Sequence, residues 1–266
     1  MIKELFSENK QLLSFEVFPP KKEEEFANAF LVLDSLAGLQ PDFISVTYSA
    51  GGSGNNNDET FRIAASIMGY GMESAAHLPC IGLTKQDVCE KLNKLKNIGV
   101  ENILALRGDL PAGKCAPGDF EHASDLIAFI KEQGEFNIIA ACYPEGHVEA
   151  KNKVEDIQNL KRKVDAGTDQ LITQLFFDNE YFYSFAERCA LAGIGVPIEA
   201  GIMPVVTKRQ IERMSSLCGA TVPKKFTAMM ERYEHNPVAM RDAGIAYAVD
   251  RRCEYGVAAR REHLVF

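Results

Sequence analysis

Glu16 stands among hydrophobes in Leu12-Leu13-Ser14-Phe15-Glu16-Val17-Phe18, just before Pro19-Pro20. Period-two geometry puts Ser14, Glu16 and Phe18 on one face of an extended segment, with Phe15 and Val17 on the other. A carboxyl in that setting, beside the end of a strand, suits general acid work. Its plainer counterpart is a buried glutamate paired with an arginine. Arg107-Gly108-Asp109 follows the apolar run Ile103-Leu104-Ala105-Leu106. Gly108 permits close backbone approach to a flat ligand, and Asp109 can accept hydrogen bonds from ring nitrogens; a surface salt bridge is the alternative. Tyr143-Pro144-Glu145-Gly146-His147 puts an aromatic, a carboxylate and an imidazole in one loop. The segment after it carries Asp156, Asn159, Arg162 and Lys163. Asp156, Asn159 and Lys163 share a helical face that could grip a diphosphate and sugar, or simply be solvated. His77, before Leu78-Pro79, reads equally as a satisfied core histidine. Gln174 closes another apolar run, while Phe176-Phe177 reads as packing.

What joins these residues is their position. Seven short apolar runs reach Phe18, Tyr48, His77, Leu106, Tyr143, Gln174 and Gly201, and nearly every one ends in a residue able to do chemistry. Between them lie stretches with helical spacing: Lys21 to Leu36, Asp58 (a plausible cap) to Met68, and Thr84 to Ile98 with Gly99 as stop. More follow from His122 or Ser124 to Lys131, Val154 to Val164, Asp178 to Ala190 and Thr207 to Leu217. Strands alternating with helices of this length argue for βαβ units and a parallel sheet. A parallel barrel gathers its strand C-termini at one mouth, so the pattern predicts an α/β fold of the (β/α)8 TIM type. Seven units are clear and the eighth is incomplete. A doubly wound sheet is the runner-up, but Gly51-Gly52-Ser53-Gly54, in a loop permissive of positive φ, lacks dinucleotide-fingerprint spacing.

Composition narrows the class. The 266 residues suit one barrel domain spanning 1–266. A net charge of −8 argues against a nucleic-acid partner, which calls for a clustered basic face. No run approaches the ~20 apolar residues of a membrane span, and the first residues lack a signal-peptide core, so a cytoplasmic protein is expected. Cys80, Cys89, Cys115, Cys142, Cys189, Cys218 and Cys253 are scattered with no C-x-x-C pair, reading as reduced thiols rather than metal ligands.

Taken together, Ser14-Phe15-Glu16-Val17-Phe18-Pro19-Pro20-Lys21, Ser45-Val46-Thr47-Tyr48, His77-Leu78-Pro79-Cys80 and Leu104-Ala105-Leu106-Arg107-Gly108-Asp109-Leu110-Pro111 resemble methylenetetrahydrofolate reductases of the bacterial single-domain, FAD-dependent type. Tyr143 to His147, Asn159 to Gly167, Ile172 to Asp178 and Gly201-Ile202-Met203-Pro204 continue the resemblance in family order. It implies a barrel with FAD at the strand ends, reducing 5,10-methylenetetrahydrofolate to 5-methyltetrahydrofolate. NADH or NADPH would be the donor, with ping-pong hydride transfer through flavin N5. Glu16 matches the general acid and Asp109 the aspartate beside flavin and pterin. Thr47 corresponds to a nicotinamide contact. Tyr48, Ala50, His77, Arg107, Gly108, Asp109, Ala123, Tyr143, His147, Ala150, Asp156, Asn159, Arg162 and Lys163 correspond to FAD contacts. Gln174 and Gln210, with Asp109, correspond to folate contacts.

Residues 250–266 depart from the family pattern, and only His263-Leu264 hints at its last strand. A truncated or frame-altered end, lacking the folate arginine and closing helix, is the expectation there, with a homo-oligomer or partner subunit as a consequence. Two rival readings remain at this stage. One is a catalytically weakened flavin-binding subunit of a larger one-carbon complex. The other is a barrel lyase or transferase using Glu16 and Asp109 without flavin.

Overall fold

The computed structural model describes residues 1–6, 11–20, 22–48, 57–109, 118–258 and 263–265. The chain forms two compact units, Met1–Ala141 with Arg162–Gln170, and Cys142–Lys161 with Leu171–Phe266.

In the first unit a short helix, α1 (Ile2–Leu5), buries Ile2, whose backbone N–H donates to Asn102 Oδ1 at 2.9 Å. Then come β1 (Leu13–Val17), a 3-10 turn at Glu23–Glu25, α2 (Phe26–Ala37), β2 (Phe43–Val46) and α3 (Asn57–Gly69). They are followed by β3 (Glu73–Pro79), α4 (Lys85–Asn97), β4 (Asn102–Leu106), α5 (Ala123–Gln133) and β5 (Asn137–Cys142). Each strand pairs in parallel with the next, and one row runs Glu16, Ser45, Ala75, Asn102, Asn137. All four residues of β2 are buried, as strands covered on both faces must be.

Local chemistry explains the helix ends. Thr84 Oγ1 accepts from the Asp87 N–H while the Asp87 carboxylate accepts from the Thr84 N–H, a reciprocal cap on α4. Gly99, at φ +81°, stops that helix in a conformation costly for other residues. His122, rather than Ser124, precedes α5, with its N–H donating to Asp125. Two expectations shift. The helix read from Lys21 begins as a 3-10 turn at Glu23, and Lys21 lies outside the described residues. Asp58 is the second residue of α3 and not its cap, a displacement of the size common at helix ends.

The second unit receives the start of α6 (Lys153–Asp165), then β6 (Gln170–Thr173), α7 (Asn179–Leu191), β7 (Ile198–Gly201) and α8 (Lys208–Cys218). Asp178 and Thr207 cap α7 and α8, accepting from the Glu180 and Gln210 N–H groups. Two helices without a sequence expectation follow, α9 (Lys224–Tyr233) and α10 (Pro237–Ala258). The strand hinted at by His263-Leu264 is formed as β8 (His263–Val265), parallel to β7 with Ala200 opposite Leu264. The eighth unit therefore has its strand. Phe176 and Phe177 are packing residues, as expected, and serve different clusters. Phe176 joins Phe182, Ala200, Ile202 and Ala248, while Phe177 joins Val205, Ile211, Phe226 and Met240. Tyr247 donates its hydroxyl to the Phe177 carbonyl at 2.7 Å and tilts its ring onto Phe226.

Parallel strands alternating with helices make both units α/β. No helix among the described residues is long and apolar enough to cross a membrane. The five described cysteines whose side chains are placed, Cys80, Cys89, Cys142, Cys189 and Cys218, are free thiols.

Candidate functional site

In the first unit the strand ends assemble an acid against an imidazole. Glu16 on β1 and His77 on β3 are separated by β2, and two strand spacings amount to roughly 9.6 Å. Only long side chains meet across that gap, and only if the intervening positions are small. Ser45, opposite Glu16 on the intervening strand, meets that condition, and Ala75, next in the same row on β3, leaves room below His77. His77 Nε2 then lies 3.4 Å from Glu16 Oε2, with the Glu16 side chain 32% exposed and that of His77 8%. This is ion-pair range without hydrogen-bond geometry, and Nε2 is buried with no hydrogen-bond partner among the described residues.

Around that pair, Thr47 is buried at the end of β2. Its N–H donates to Val17 O at 2.9 Å, and its carbonyl accepts from Thr60 Oγ1 at 3.0 Å. Tyr48 follows half-buried, with the Lys91 ammonium 5.9 Å from its ring centre; burial pushes its phenol up to about 12. Ala50 lies outside the described residues. Arg107 bends its Nε back to the Gly108 carbonyl at 3.3 Å, and its own carbonyl accepts from the Ile81 N–H at 2.8 Å. Gly108 has φ +88°, and a Cβ there would sit 2.8 Å from Ile81 Cγ2 and 3.0 Å from Pro79 Cβ. The sequence suggested close approach to a ligand; the close approach observed is to the neighbouring strand end. Asp109 is exposed, and Ala123 is the first residue of α5, at the positive end of its dipole. Arg162 is exposed, and Lys163 donates to the Ala141 carbonyl.

In the second unit the Tyr143 and His147 rings meet edge to face, 4.6 Å between centres. The His147 N–H donates to Asp156 Oδ1 at 3.1 Å, which explains why Asp156 is buried although it sits on a charged helix. His147 Nδ1 accepts from the Glu149 N–H at 3.1 Å, so the neutral ring carries its proton on Nε2. Ala150 closes the turn with its N–H on the His147 carbonyl, while Asn159 is exposed. The shared face of α6 is thus split, Asp156 buried and tied into the loop and Asn159 exposed. Gln174 Oε1 accepts from the Leu175 N–H at 2.8 Å, and Gln210 Oε1 from the Val206 N–H at 3.1 Å. Each amide oxygen is thus engaged by backbone, which fixes the NH2 group of each as its donor end. A small recess is lined by Tyr143, Glu145, Gly146, Gln174, Cys218 and Ala220. Glu145 helps to shape it by accepting from the Thr221 N–H through both oxygens, at 3.0 and 3.1 Å.

Sequence reading missed the spacers Ser45 and Ala75, because the role of a small residue appears only once register is known. It also missed Arg188, whose guanidinium donates to the Pro144 carbonyl at 2.9 Å and braces the Tyr143–His147 loop. Among the described residues no cluster of three or more His, Cys, Asp or Glu could hold a metal ion. The donor set suits a flat heteroaromatic group carrying a diphosphate. It offers an orphaned buried imidazole nitrogen at His77, a half-buried phenol at Tyr48, and cations at Arg107, Arg162 and Lys163.

Comparison with known proteins adds the following. The sequence model of a family described as methylenetetrahydrofolate reductase matches residues 1–258. A 5,10-methylenetetrahydrofolate reductase of Salmonella typhimurium (strain LT2) is 38% identical over 242 residues, covering 90% of this chain and 79% of its own. Methylenetetrahydrofolate reductase (NADH) 1 of Arabidopsis thaliana is 35% identical over 265 residues, covering 94% of this chain and 44% of its own. The chain thus spans less than half of that plant relative. A solved structure of an uncharacterized protein from Clostridium thermocellum, which binds two copies of 5-methyl-5,6,7,8-tetrahydrofolic acid, superposes with a TM-score of 0.64 at 13% identity. That match covers 100% of this chain and 92% of the other. A phosphonopyruvate hydrolase, at 13% identity, reaches 0.56 over 97% and 96%. At such identities the likeness concerns the fold alone.

Proposed function

Since the chain belongs to the methylenetetrahydrofolate reductase family, we propose that it reduces 5,10-methylenetetrahydrofolate to 5-methyltetrahydrofolate, using NADH and bound FAD. The observation that carries this reading is the family match over residues 1–258 together with a carboxyl, Glu16, half-open at a strand end. NADH rather than NADPH is supported by the name of the Arabidopsis relative. A single cytoplasmic (β/α)8 barrel domain over residues 1–266 belongs to the same proposal.

FAD, when bound, supplies the hydride relay that no amino-acid side chain can provide. The residues of the chain have other tasks. Glu16 gives its proton to the nitrogen that leaves the methylene bridge, opening the bridge to a cationic iminium. The carboxylate of Asp109 favours that cation electrostatically. Thr47 contacts the nicotinamide. Tyr48, Ala50, His77, Gly108, Ala123, Tyr143, His147, Ala150, Asp156 and Asn159 cradle the cofactor, and Arg107, Arg162 and Lys163 supply positive charge for its diphosphate. Gln174 and Gln210 turn amide donors toward acceptor atoms of the folate.

The test is a visible absorption spectrum of purified protein before and after anaerobic NADH. An oxidised-flavin spectrum that bleaches, then recovers with methylenetetrahydrofolate, bears the proposal out. Bleaching without recovery overturns the folate half of it, and absence of flavin after added FAD overturns the whole.

A further inference from the structure

The contact between Glu16 and His77 has a chemical consequence beyond holding the acid in place. We propose that His77 is a positioning residue for Glu16, its Nε2–H engaging Oε2 of the carboxyl so that the transferable proton stays on Oε1. The inference rests on the reading of Glu16 as the acid.

Three observations carry it. Nε2 is buried and lacks a hydrogen bond, and an unsatisfied buried donor costs about 1–3 kcal/mol. An acceptor is at hand in Glu16 Oε2, at 3.4 Å, about half an ångström beyond a normal N–H···O distance. The strands flanking β3 offer little competition. β2 presents Ser45 and Thr47, β4 presents Asn102, Leu104 and Leu106, and none of these ionises. Among the described residues, the ionisable groups just beyond these strand ends include Tyr48, Glu59, Cys80, Arg107 and Asp109; Cys80 Sγ lies against the Arg107 carbonyl, and Arg107 Nε already bends back to the Gly108 carbonyl.

A free carboxylic acid can carry its proton on either oxygen and rotate between them. With a donor on Oε2, that oxygen acts as the carbonyl and Oε1 holds the hydroxyl. When Oε1 releases its proton to the ligand nitrogen, the carboxylate still accepts from Nε2–H, so His77 itself neither gains nor loses a proton. The 32% exposure of Glu16 against 8% for His77 matches this division: one oxygen faces the protein and the other remains accessible.

The experiment has two arms. In the first, 15N-labelled protein is examined by NMR for the His77 Nε2–H signal, in the parent and in Glu16→Leu. A signal that shifts or is lost in Glu16→Leu supports the contact; an unchanged signal overturns it. In the second, holoenzymes of the parent, His77→Leu and His77→Gln are compared per bound flavin. The quantity read is the rate of reoxidation by methylenetetrahydrofolate divided by the rate of reduction by NADH. General acids contribute about 100- to 10,000-fold, so a mispositioned one lowers this ratio at least about ten-fold in His77→Leu. His77→Gln, whose amide NH2 reaches the Nε2 position, restores it to within about three-fold, with kcat more affected than KM. Equal loss in both variants, or no loss in either, overturns the proposal. If parent holoenzyme is not reoxidised by the folate, the functional reading fails, and the NMR arm decides the contact by itself.

Discussion

The backbone N–H of Leu175 donates to the side-chain oxygen of Gln174 at 2.8 Å, which fixes the direction of that amide. With its oxygen engaged by the backbone, Gln174 offers a ligand chiefly its NH2 group. Gln174→Glu keeps the engaged acceptor and replaces the donor by a carboxylate oxygen. Losing the donor and exposing an unpaired acceptor costs about 1–3 kcal/mol, or roughly ten- to a hundredfold in KM for the folate. Reduction of the flavin by NADH, followed at its visible absorption band, serves as the internal reference. An unchanged KM for the folate would show that Gln174 faces no acceptor.

Glu16→Gln preserves shape at the end of β1 and removes the acid. The variant is expected to bind flavin and to bleach with NADH, but to recover with methylenetetrahydrofolate at least about a hundredfold more slowly. Stopped-flow absorbance separates the two half-reactions. Loss of the NADH step alone would assign Glu16 to a different role.

Much of this arrangement was legible in the sequence, and particular residues show why the rest was not. The segment Asn102 to Leu106 is strand β4 as read, and Thr84, Asp178 and Thr207 cap helices because their side-chain oxygens accept from N–H groups in the first turn. Those signals are local. Helix α10 escaped because its inward face is Met240, Gly244, Ala248 and Arg251, while Val238, Ile245 and Val249 point outward. A hydropathy pattern reads that helix inside out. Arg251 is buried by laying its guanidinium over the Phe176 ring at 4.6 Å and donating to Asn179 Oδ1 at 3.3 Å. The candidate residues were named from strand ends, but the meeting of Glu16 with His77 depends on strand register and on the small residues Ser45 and Ala75 beside them. Neither leaves a local trace.

Burial pushes the thiol of Cys80 up to about 11 and that of Cys189 up to about 12. At pH 8 their reactive thiolate fractions are then about one in a thousand and one in ten thousand. Iodoacetamide at that pH should leave both unmodified in the folded protein and label them after denaturation, as read by peptide mass spectrometry. The linkage has a definite sign. Because the folded values are raised, the associated stability is fully present below the ordinary thiol range and is lost as pH rises through 9 toward 11 and 12. Melting temperature is expected to fall between pH 8 and 10.5, and to fall less steeply in Cys189→Ala. Rapid labelling of either thiol in the native state would contradict the placement.

Gly244 brings α10 against the carbonyl of Val205, where a Cβ would sit 1.8 Å from the oxygen. No rotamer relieves such a clash, since a Cβ has none and the obstacle is backbone. Gly244→Ala must therefore push the helix outward, loosening Met240 from Val205 and Phe226, and Ala248 from Phe176. Overpacking of this kind costs about 1–3 kcal/mol or more, in spite of the better helix propensity of alanine. For a chain of this size each kcal/mol lowers the melting temperature by about 2–4 °C. Gly195→Ala is the control, because a Cβ there meets nothing within 4 Å and its backbone is not at positive φ. Thermal melts followed by circular dichroism should show Gly244→Ala clearly below the parent and Gly195→Ala close to it. Should the two variants melt together, the close packing of α10 on Val205 would have to be abandoned.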